Sequence, residues 1–221
     1  MATYAAGNET KRKIEEAARS LFYKHGYNNT TYAQVAKLAG VNLGTIVYHF
    51  HSLDNLADII YQDIVQQRKE VFVRKVDTYF EPGRFSKSAI DLAQYRVNTQ
   101  SYVEYPNYSR FISERMLLSS TWNSPAFDYS LYNICRDYKL PITMNEYILQ
   151  KYLFLPYATI ATSAYNRGDI DLTVDEIFEY QFRIRLQSYG MKEEDIEDLL
   201  TDVRAIAEKV HLHVSEQMNF Y

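Results

Sequence analysis

Apolar residues recur along most of this chain at intervals of three and four, the spacing of one face of an α-helix. The first clear stripe consists of Ile14, Ala17, Ala18, Leu21 and Phe22. No stretch shows a convincing alternation of apolar and polar residues, which would indicate a strand. Glycine and proline, which interrupt helices, are few, at 7 and 5 of 221 residues. The pattern predicts an all-α fold.

Two short helices are predicted after this first one. Thr31 and Gln34 have the spacing of a capping box, so a helix is expected to begin directly after Thr31. Gly40 can adopt the left-handed conformation that ends it. Asn42 is a favourable N-cap for the next helix, which is predicted over residues 43–50. The two helices are therefore joined by a tight glycine turn.

The second of these short helices has a small core face. Ile46 and Phe50 are four residues apart and are expected to pack inward. The positions predicted to face away from the core are Gly44, Thr45, Val47, Tyr48, His49 and His51. An exposed helix after a tight turn is typical of a helix-turn-helix unit, whose second helix can lie in the major groove of DNA.

Longer helices are predicted beyond this unit. They cover residues 52–80, 86–104, 107–119, 124–138, 143–167, 173–189 and 193–214. Thr173 and Glu176 form another capping-box pair at the start of the sixth of these. We therefore divide the chain into a helix-turn-helix domain, residues 1–55, and a helical domain, residues 56–221.

Charge is unevenly divided between these two parts. Residues 1–55 hold six Lys or Arg against four Asp or Glu, whereas residues 56–221 hold eighteen against twenty-four. A weakly basic head on an acidic body is compatible with DNA binding. The longest apolar stretch, residues 152–161, contains Pro156 and is too short to span a bilayer. With no signal-peptide pattern at the N-terminus, we expect a soluble cytoplasmic protein with no membrane partner.

The segment AARSLFYKHGYNNTTYAQVAKLAGVNLGTIVYHFHSLDNL, residues 17–56, resembles the DNA-binding region of TetR-family transcriptional regulators. The resemblance covers about residues 10–60 and implies an all-helical homodimer that reads one half of an operator with each subunit. It also implies a larger C-terminal domain that binds a small-molecule effector and dimerises. The expected DNA-binding residues are Thr31, Tyr32, Asn42, Leu43, Gly44, Thr45, Val47, Tyr48, His49 and His51.

Three positions depart from the pattern of this family. Leu53 stands where many relatives have a phosphate-binding lysine, and Ala33 replaces a common basic residue. Val47 replaces the first of two aromatic residues and can contact a thymine methyl group. Fewer cations predict a shallower dependence of DNA binding on salt. Whether Leu53 is exposed or belongs to the core stays open.

Tyrosine is unusually frequent, with 21 residues, and many lie between residues 95 and 165. Its apolar ring and polar tip suit a pocket for a flat or amphipathic ligand. The candidate effector contacts are Tyr102, Phe111, Trp122, Tyr129, Tyr132, Tyr152 and Tyr157. The alternative is that these rings only fill cores and helix interfaces.

The segments 143–167 and 173–189 are the predicted dimer helices, although they can also pack within one subunit. His49 and His51, like His211 and His213, are two residues apart, so on a helix each pair would point about 200° apart. No metal site and no cofactor are therefore predicted.

Neither a nucleophile with its base nor a glycine-rich phosphate loop is found, so an enzyme is not predicted. The sequence favours a ligand-responsive regulator, most simply a repressor, that binds a pseudo-palindromic operator as a homodimer. The alternative is a dimeric interaction or ligand-binding protein, derived from the helix-turn-helix fold, with little DNA affinity. The sequence leaves open the operator, the regulated genes, the effector and the choice between repression and activation.

Overall fold

The residues that the sequence predicts as helix caps lie at the observed ends of helices. The computed structural model describes residues 2–116 and 130–221, except for the side chains of residues 2–6, 116, 151–160 and 162. The helices within this described part are α1 Ala2–His25, α2 Tyr32–Ala39, α3 Leu43–Phe50, α4 Leu53–Tyr79, α5 Lys87–Glu104, α6 Pro106–Met116, α7 Ser130–Asp137, α8 Met144–Asn166, α9 Val174–Ser188 and α10 Glu193–Ala207. The predicted all-α fold is confirmed.

Most predicted helix ends agree closely with the observed ones. The helices α4, α5, α8 and α9 begin and end within one residue of their predicted bounds. The helical backbone of α8 continues through Pro156. The predictions for 107–119 and 124–138 fall partly outside the described residues.

The prediction of a helix up to residue 214 is wrong, because α10 ends at Ala207. Val210, Leu212 and Val214 are buried, whereas His211 and His213 between them are exposed. This alternation has the period of an extended chain. The chain then turns back through an isolated antiparallel bridge between Val214 and Phe220.

Contacts divide the described chain into two compact units. The first consists of the described residues within 1–68, 105–123 and 213–221, and the second of those within 69–104 and 124–212. The first unit therefore differs from the predicted domain 1–55, because it also contains the first part of α4, helix α6 and a C-terminal segment.

Helix α6 contributes directly to the core of the first unit. Phe22, which is fully buried, stacks on Phe111 of α6 with ring centroids 5.2 Å apart. Arg110 donates hydrogen bonds to the carbonyl oxygens of Tyr23 and Lys24, at 3.1 and 2.9 Å, at the end of α1. The last turn of α1 is thus held by a helix that lies far away in the sequence.

The C-terminal segment 213–221 completes this core. Met218 is fully buried, and the ring of Phe220 meets that of Tyr108 edge to face at 5.5 Å. Arg19 of α1 donates to the carbonyl oxygen of Gln217 at 3.4 Å. We call residues 213–221 the C-terminal hook.

Helix α5 is the central helix of the second unit and packs against α7, α8, α9 and α10. Leu92 and Val97 bury their side chains there, as do the polar residues Asp91, Arg96 and Asn98. Among the described residues, no helix is long and apolar enough to cross a membrane.

Candidate DNA-binding surface

The first two elements of this surface are fixed by side chains that cap the helices. Thr31 and Gln34 form the predicted capping box, with the Thr31 N–H donating to Gln34 Oε1 at 2.7 Å. Gly40 ends α2 in the left-handed conformation, at φ 67°. Asn42 Oδ1 then accepts the Thr45 N–H at 2.9 Å and caps α3. These bonds satisfy backbone donors that a helix start leaves free.

Helix α3 presents most of its surface to solvent. Ile46 and Phe50 are fully buried, as the spacing predicted. Leu43 is 51% exposed, Val47 48% and Tyr48 79%. Neighbouring large apolar side chains that stay exposed on one short helix indicate a surface for contact with another molecule.

The remaining candidates on and beside α3 differ in exposure. Gly44 and His51 are exposed, whereas Thr45 and His49 are half-buried. The hydroxyl of Thr45 donates to Asn42 Oδ1 at 3.1 Å. The His49 ring lies 5.0 Å from that of Tyr48, edge to face. Tyr48 therefore has the most accessible polar tip of the helix.

A hydrogen bond to Tyr32 of α2 stabilises the turn between α3 and α4. The half-buried Tyr32 accepts the Leu53 N–H on its hydroxyl oxygen at 2.6 Å. Ser52 caps α4 by accepting the Asn55 N–H at 2.9 Å. Leu53 itself is only 9% exposed, so it is a core residue.

The cations at the start of α1 are paired on their own helix. Lys11 pairs with Glu15, and Arg12 bonds Glu9 and Glu16, all one turn away. Such exposed pairs are weak and are screened by salt. By contrast, the exposed Lys24 and Lys37 have no ion-pair partner among the described residues. The positive charge available to a phosphate backbone is small.

A buried arginine of α6 binds two aspartates in the first two turns of α4. Arg115 of α6 is 1% exposed, pairs with Asp58 and donates to Asp54 Oδ1 at 3.2 Å. Its guanidinium lies over the Tyr27 ring at 4.5 Å. Tyr27 in turn donates its hydroxyl hydrogen to Asp54 at 2.5 Å. Four side chains from three segments thus hold the helix-turn-helix against α6.

This cluster changes the acidity of two of its members. Burial, followed by the bond to Asp54, raises the pKa of Tyr27 to about 12. The Tyr27 hydrogen bond, together with Arg115, holds the pKa of Asp54 below its usual value. Sequence reasoning missed the cluster, because 57 residues separate Asp58 from Arg115 and no local pattern links them.

The candidate effector residues are not brought together by the described residues. Tyr102 is half-buried on α5, and Tyr132 lies 5.3 Å from Tyr147, ring to ring. Phe111 has the contacts of a core residue of the first unit. The four remaining candidates, Trp122, Tyr129, Tyr152 and Tyr157, have side chains that lie outside the described part of the chain.

A buried polar atom on α5, which sequence reasoning missed, lies near the candidate effector residue Tyr102 in the chain. The Oδ1 atom of Asn98, on α5, has no hydrogen-bond partner among the described residues. Such an orphaned acceptor is costly unless something donates to it. Asn98 lies one helical turn before Tyr102, on the same side of α5.

The predicted dimer helices retain apolar side chains at their surface. Leu149 on α8 is 61% exposed, and Tyr180 and Ile184 on α9 are 67% and 41% exposed. Ile177, Phe178 and Phe182 are instead buried within the second unit. Some apolar side chains of these helices are therefore buried inside the subunit, and others remain exposed.

Comparison with known proteins supports the interpretation of the N-terminal region. Residues 14–58 match the family described as bacterial regulatory proteins, tetR family. The chain is similar to the transcriptional regulator TtgR of Pseudomonas putida, with 39% identity over 62 residues, 28% of this chain and 30% of that protein. It is also similar to the regulator QacR of Staphylococcus aureus, with 44% identity over 46 residues, 21% of this chain and 24% of that protein. The matches thus span less than a third of either relative.

Solved structures extend the likeness to the whole fold. A γ-butyrolactone receptor superposes with a TM-score of 0.54 over 93% of this chain and all of that one, at 14% identity. RolR in complex with resorcinol superposes with a TM-score of 0.55 over 96% of this chain and all of that one, at 13% identity. At these identities the likeness concerns the fold alone.

Proposed function

We propose that this chain, which belongs through its residues 14–58 to the tetR family of bacterial regulatory proteins, is a ligand-responsive transcriptional regulator. It binds a pseudo-palindromic DNA operator as a homodimer and acts in the cytoplasm, where DNA is accessible. The observation that carries the proposal is the exposure of α3. Leu43, Val47 and Tyr48 face solvent on a helix whose start is capped and whose other side is anchored by Ile46 and Phe50.

The proposed DNA contacts follow from this geometry. Two copies of α3 enter successive major grooves on one face of DNA, about 34–36 Å apart. The exposed polar tip of Tyr48 and the backbone at the start of α2 and α3 approach phosphates. Lys24 and Lys37 supply the few additional cations.

The proposed dimer uses α8 and α9. The exposed Leu149, Tyr180 and Ile184 lose their contact with water when two subunits pair, which stabilises the assembly. Leu149→Glu is expected to yield a monomer in light scattering, because a charge would be buried at the centre of the interface. A dimer that survives this change would place the interface elsewhere.

The proposed effector is a flat, amphipathic molecule with a hydrogen-bond donor. It binds in the second unit, where Asn98 Oδ1 accepts from the donor and Tyr102, one turn further along α5, contacts the ring. RolR, whose fold is similar, has been solved with resorcinol. A panel of flat phenols that includes resorcinol should raise the melting temperature of the wild type and less so that of Asn98→Leu. A panel without any effect on melting or DNA affinity would contradict this class of effector.

The direction of control that we propose is repression relieved by the effector. An effector changes DNA affinity only by as much as its preference for one arrangement of the dimer. A nearly complete switch requires a preference of about 5 kcal/mol. An effector that strengthens operator binding would reverse the proposed direction.

The direct test of DNA binding uses Tyr48→Ala. The probe is a duplex that the wild-type protein selects from a random pool, and affinity is measured by fluorescence anisotropy at two salt concentrations. Tyr48→Ala is expected to weaken binding at least tenfold while the dimer persists. The control is Tyr79→Ala, since Tyr79 is 53% exposed on the distant end of α4. Equal affinity of Tyr48→Ala and wild type would overturn the proposed surface.

A second function is favoured by the pairing of the α1 cations. With so little positive charge available on its helix-turn-helix, the chain can serve as a dimeric interaction or ligand-binding protein with little DNA affinity. The two functions differ in the random-pool experiment. The regulator enriches a defined sequence and is released by salt, whereas the interaction protein enriches none.

A further inference from the structure

The side chains that α3 exposes are mainly apolar. Leu43 and Val47 are one helical turn apart on the same side, and each has about half of its surface in solvent. Neither belongs to the core, which uses Ile46 and Phe50 from this helix. The part of α3 that would meet base edges is therefore an aliphatic ridge of two residues.

The polar groups of α3 are poorly suited to reading bases. Its sequence, LGTIVYHF, contains no Arg, Lys, Asn, Gln, Asp or Glu, the residues that make the usual paired hydrogen bonds to base edges. Thr45 directs its hydroxyl hydrogen to Asn42, and Asn42 accepts from the backbone of the same turn. His49 is half-buried. Discrimination by hydrogen bonds is thus limited to Tyr48 and His49.

Attraction to the phosphate backbone cannot replace this discrimination. Phosphate contacts orient a protein on DNA but do not distinguish sequences. They are also few here, because Lys37 is the only Lys or Arg on the two short helices α2 and α3. Sequence preference must then arise largely from the aliphatic ridge and from the shape of DNA.

In the major groove, the apolar group that distinguishes one base from another is the C5-methyl group of thymine. Building on the proposed function, we propose that Leu43 and Val47 bind thymine C5-methyl groups at two fixed positions of each operator half-site. The chemical class that the site recognises is a C5-methylated pyrimidine. Because 5-methylcytosine has its methyl group at the same place, the ridge also favours it over cytosine.

The experiment replaces methyl groups without altering base pairing. The full-length protein selects a duplex from a random pool, and this duplex is synthesised with dT changed to dU at one position at a time. Affinity is expected to fall about three- to fivefold at each contacted position, the effect of burying one methyl group. Elsewhere in the half-site dU is expected to have no effect.

Protein variants assign each methyl group to its residue. Val47→Ala and Leu43→Ala keep α3 helical, since alanine is the best helix former. Each is expected to bind more weakly and to lose the dU effect at one of the two positions. Leu172→Ala removes a comparably exposed leucine, 43% exposed between α8 and α9, and should keep both effects.

A further pair of duplexes carries cytosine or 5-methylcytosine at a contacted position. The methylated duplex is expected to bind about three- to fivefold more tightly to the wild type and equally to the matching alanine variant. Selection of a duplex whose affinity is unchanged by dU at every position would overturn the methyl readout and leave DNA binding intact. An effect that persists in both alanine variants would equally overturn it. Failure to select any duplex would instead contradict the proposed function.

Discussion

At the scale of single residues, the corner between α3 and α4 depends on a few side chains with long-range partners. Tyr32 accepts the backbone N–H of Leu53, and Arg115 joins Asp54 and Asp58 to α6. These contacts orient α4 relative to the exposed face of α3. Changes at this corner should therefore affect stability first and DNA binding as a consequence.

Leu53→Lys is expected to destabilise the first unit. The side chain is 9% exposed, and burying an unpaired ammonium group is costly. We expect a loss of about 3 kcal/mol in the free energy of unfolding, measured in urea. Leu43→Lys is the control, because Leu43 is exposed on α3 and should tolerate the charge. A Leu53→Lys protein as stable as wild type would mean that this residue can turn outward.

The pair of Tyr27 and Asp54 should make the first unit sensitive to acid. The pKa of Asp54 is lowered in the folded protein, so its contribution is present above the unfolded pKa of about 3.9 and is lost as pH falls further. We expect the stability difference between wild type and Asp54→Asn to be constant from pH 5 to 7 and to shrink below about pH 4. Urea unfolding over this range measures it, with Asp77→Asn, an exposed site on the same helix, as the control. A difference that is independent of pH would exclude the ionised Asp54 as the cause.

At the scale of elements, several helices begin at a capping box. Thr143 with Glu146 starts α8, and Thr173 with Glu176 starts α9, in the same way as Thr31 starts α2. In both of the later boxes, hydrogen bonds from the threonine hold the pKa of the glutamate below its usual value. The proposed dimer helices therefore have well-defined starts.

Thr173→Ala is expected to lower the free energy of unfolding by about 1 kcal/mol, the usual effect of losing an N-cap side chain. Circular dichroism in urea measures the change. Thr78→Ala is the control, because the Thr78 hydroxyl bonds only the Arg74 carbonyl of its own helix, at 2.7 Å. If Thr173→Ala and Thr78→Ala were equally stable, the cap would contribute nothing.

Helix starts could be predicted from the sequence because their signals are local. Thr31 and Asn42 each cap a helix that begins at the next residue, and Thr173 does the same for α9. The buried pair of Arg115 and Asp58 could not be predicted, since nothing near either residue specifies a partner 57 positions away. The apolar alternation over 210–214 was visible, but the strong helical stripe before it favoured a longer helix.

At the scale of the whole molecule, the first unit is built from three separated segments of the chain. Phe111 of α6 stacks on Phe22 of α1, and Phe220 of the C-terminal hook meets Tyr108 of α6. The unit that contains α3 therefore depends on residues that lie between the two segments of the second unit and on residues that follow it in the sequence. This dependence can be tested by truncating the buried side chain of Met218 in the C-terminal hook.

Met218→Ala is expected to destabilise the first unit by about 3 kcal/mol, because Met218 is fully buried and its truncation leaves a cavity. Amide hydrogen exchange should accelerate in α1 and α6, where the hook packs. Tyr221→Ala is the control, since the Tyr221 side chain is 63% exposed. Unchanged exchange in α1 would mean that the hook is dispensable for the head.

The C-terminal hook also sets the order in which this protein can mature during translation. When α1 to α3 leave the ribosome, the residues that will bond Arg19 and pack against Tyr108 have not yet been synthesised. The nascent N-terminal unit stays incomplete until residues 213–221 emerge, by which time the second unit is available for folding. A product that terminates before residue 213 would therefore have an incomplete first unit. It would be less stable than the chain that includes the C-terminal hook.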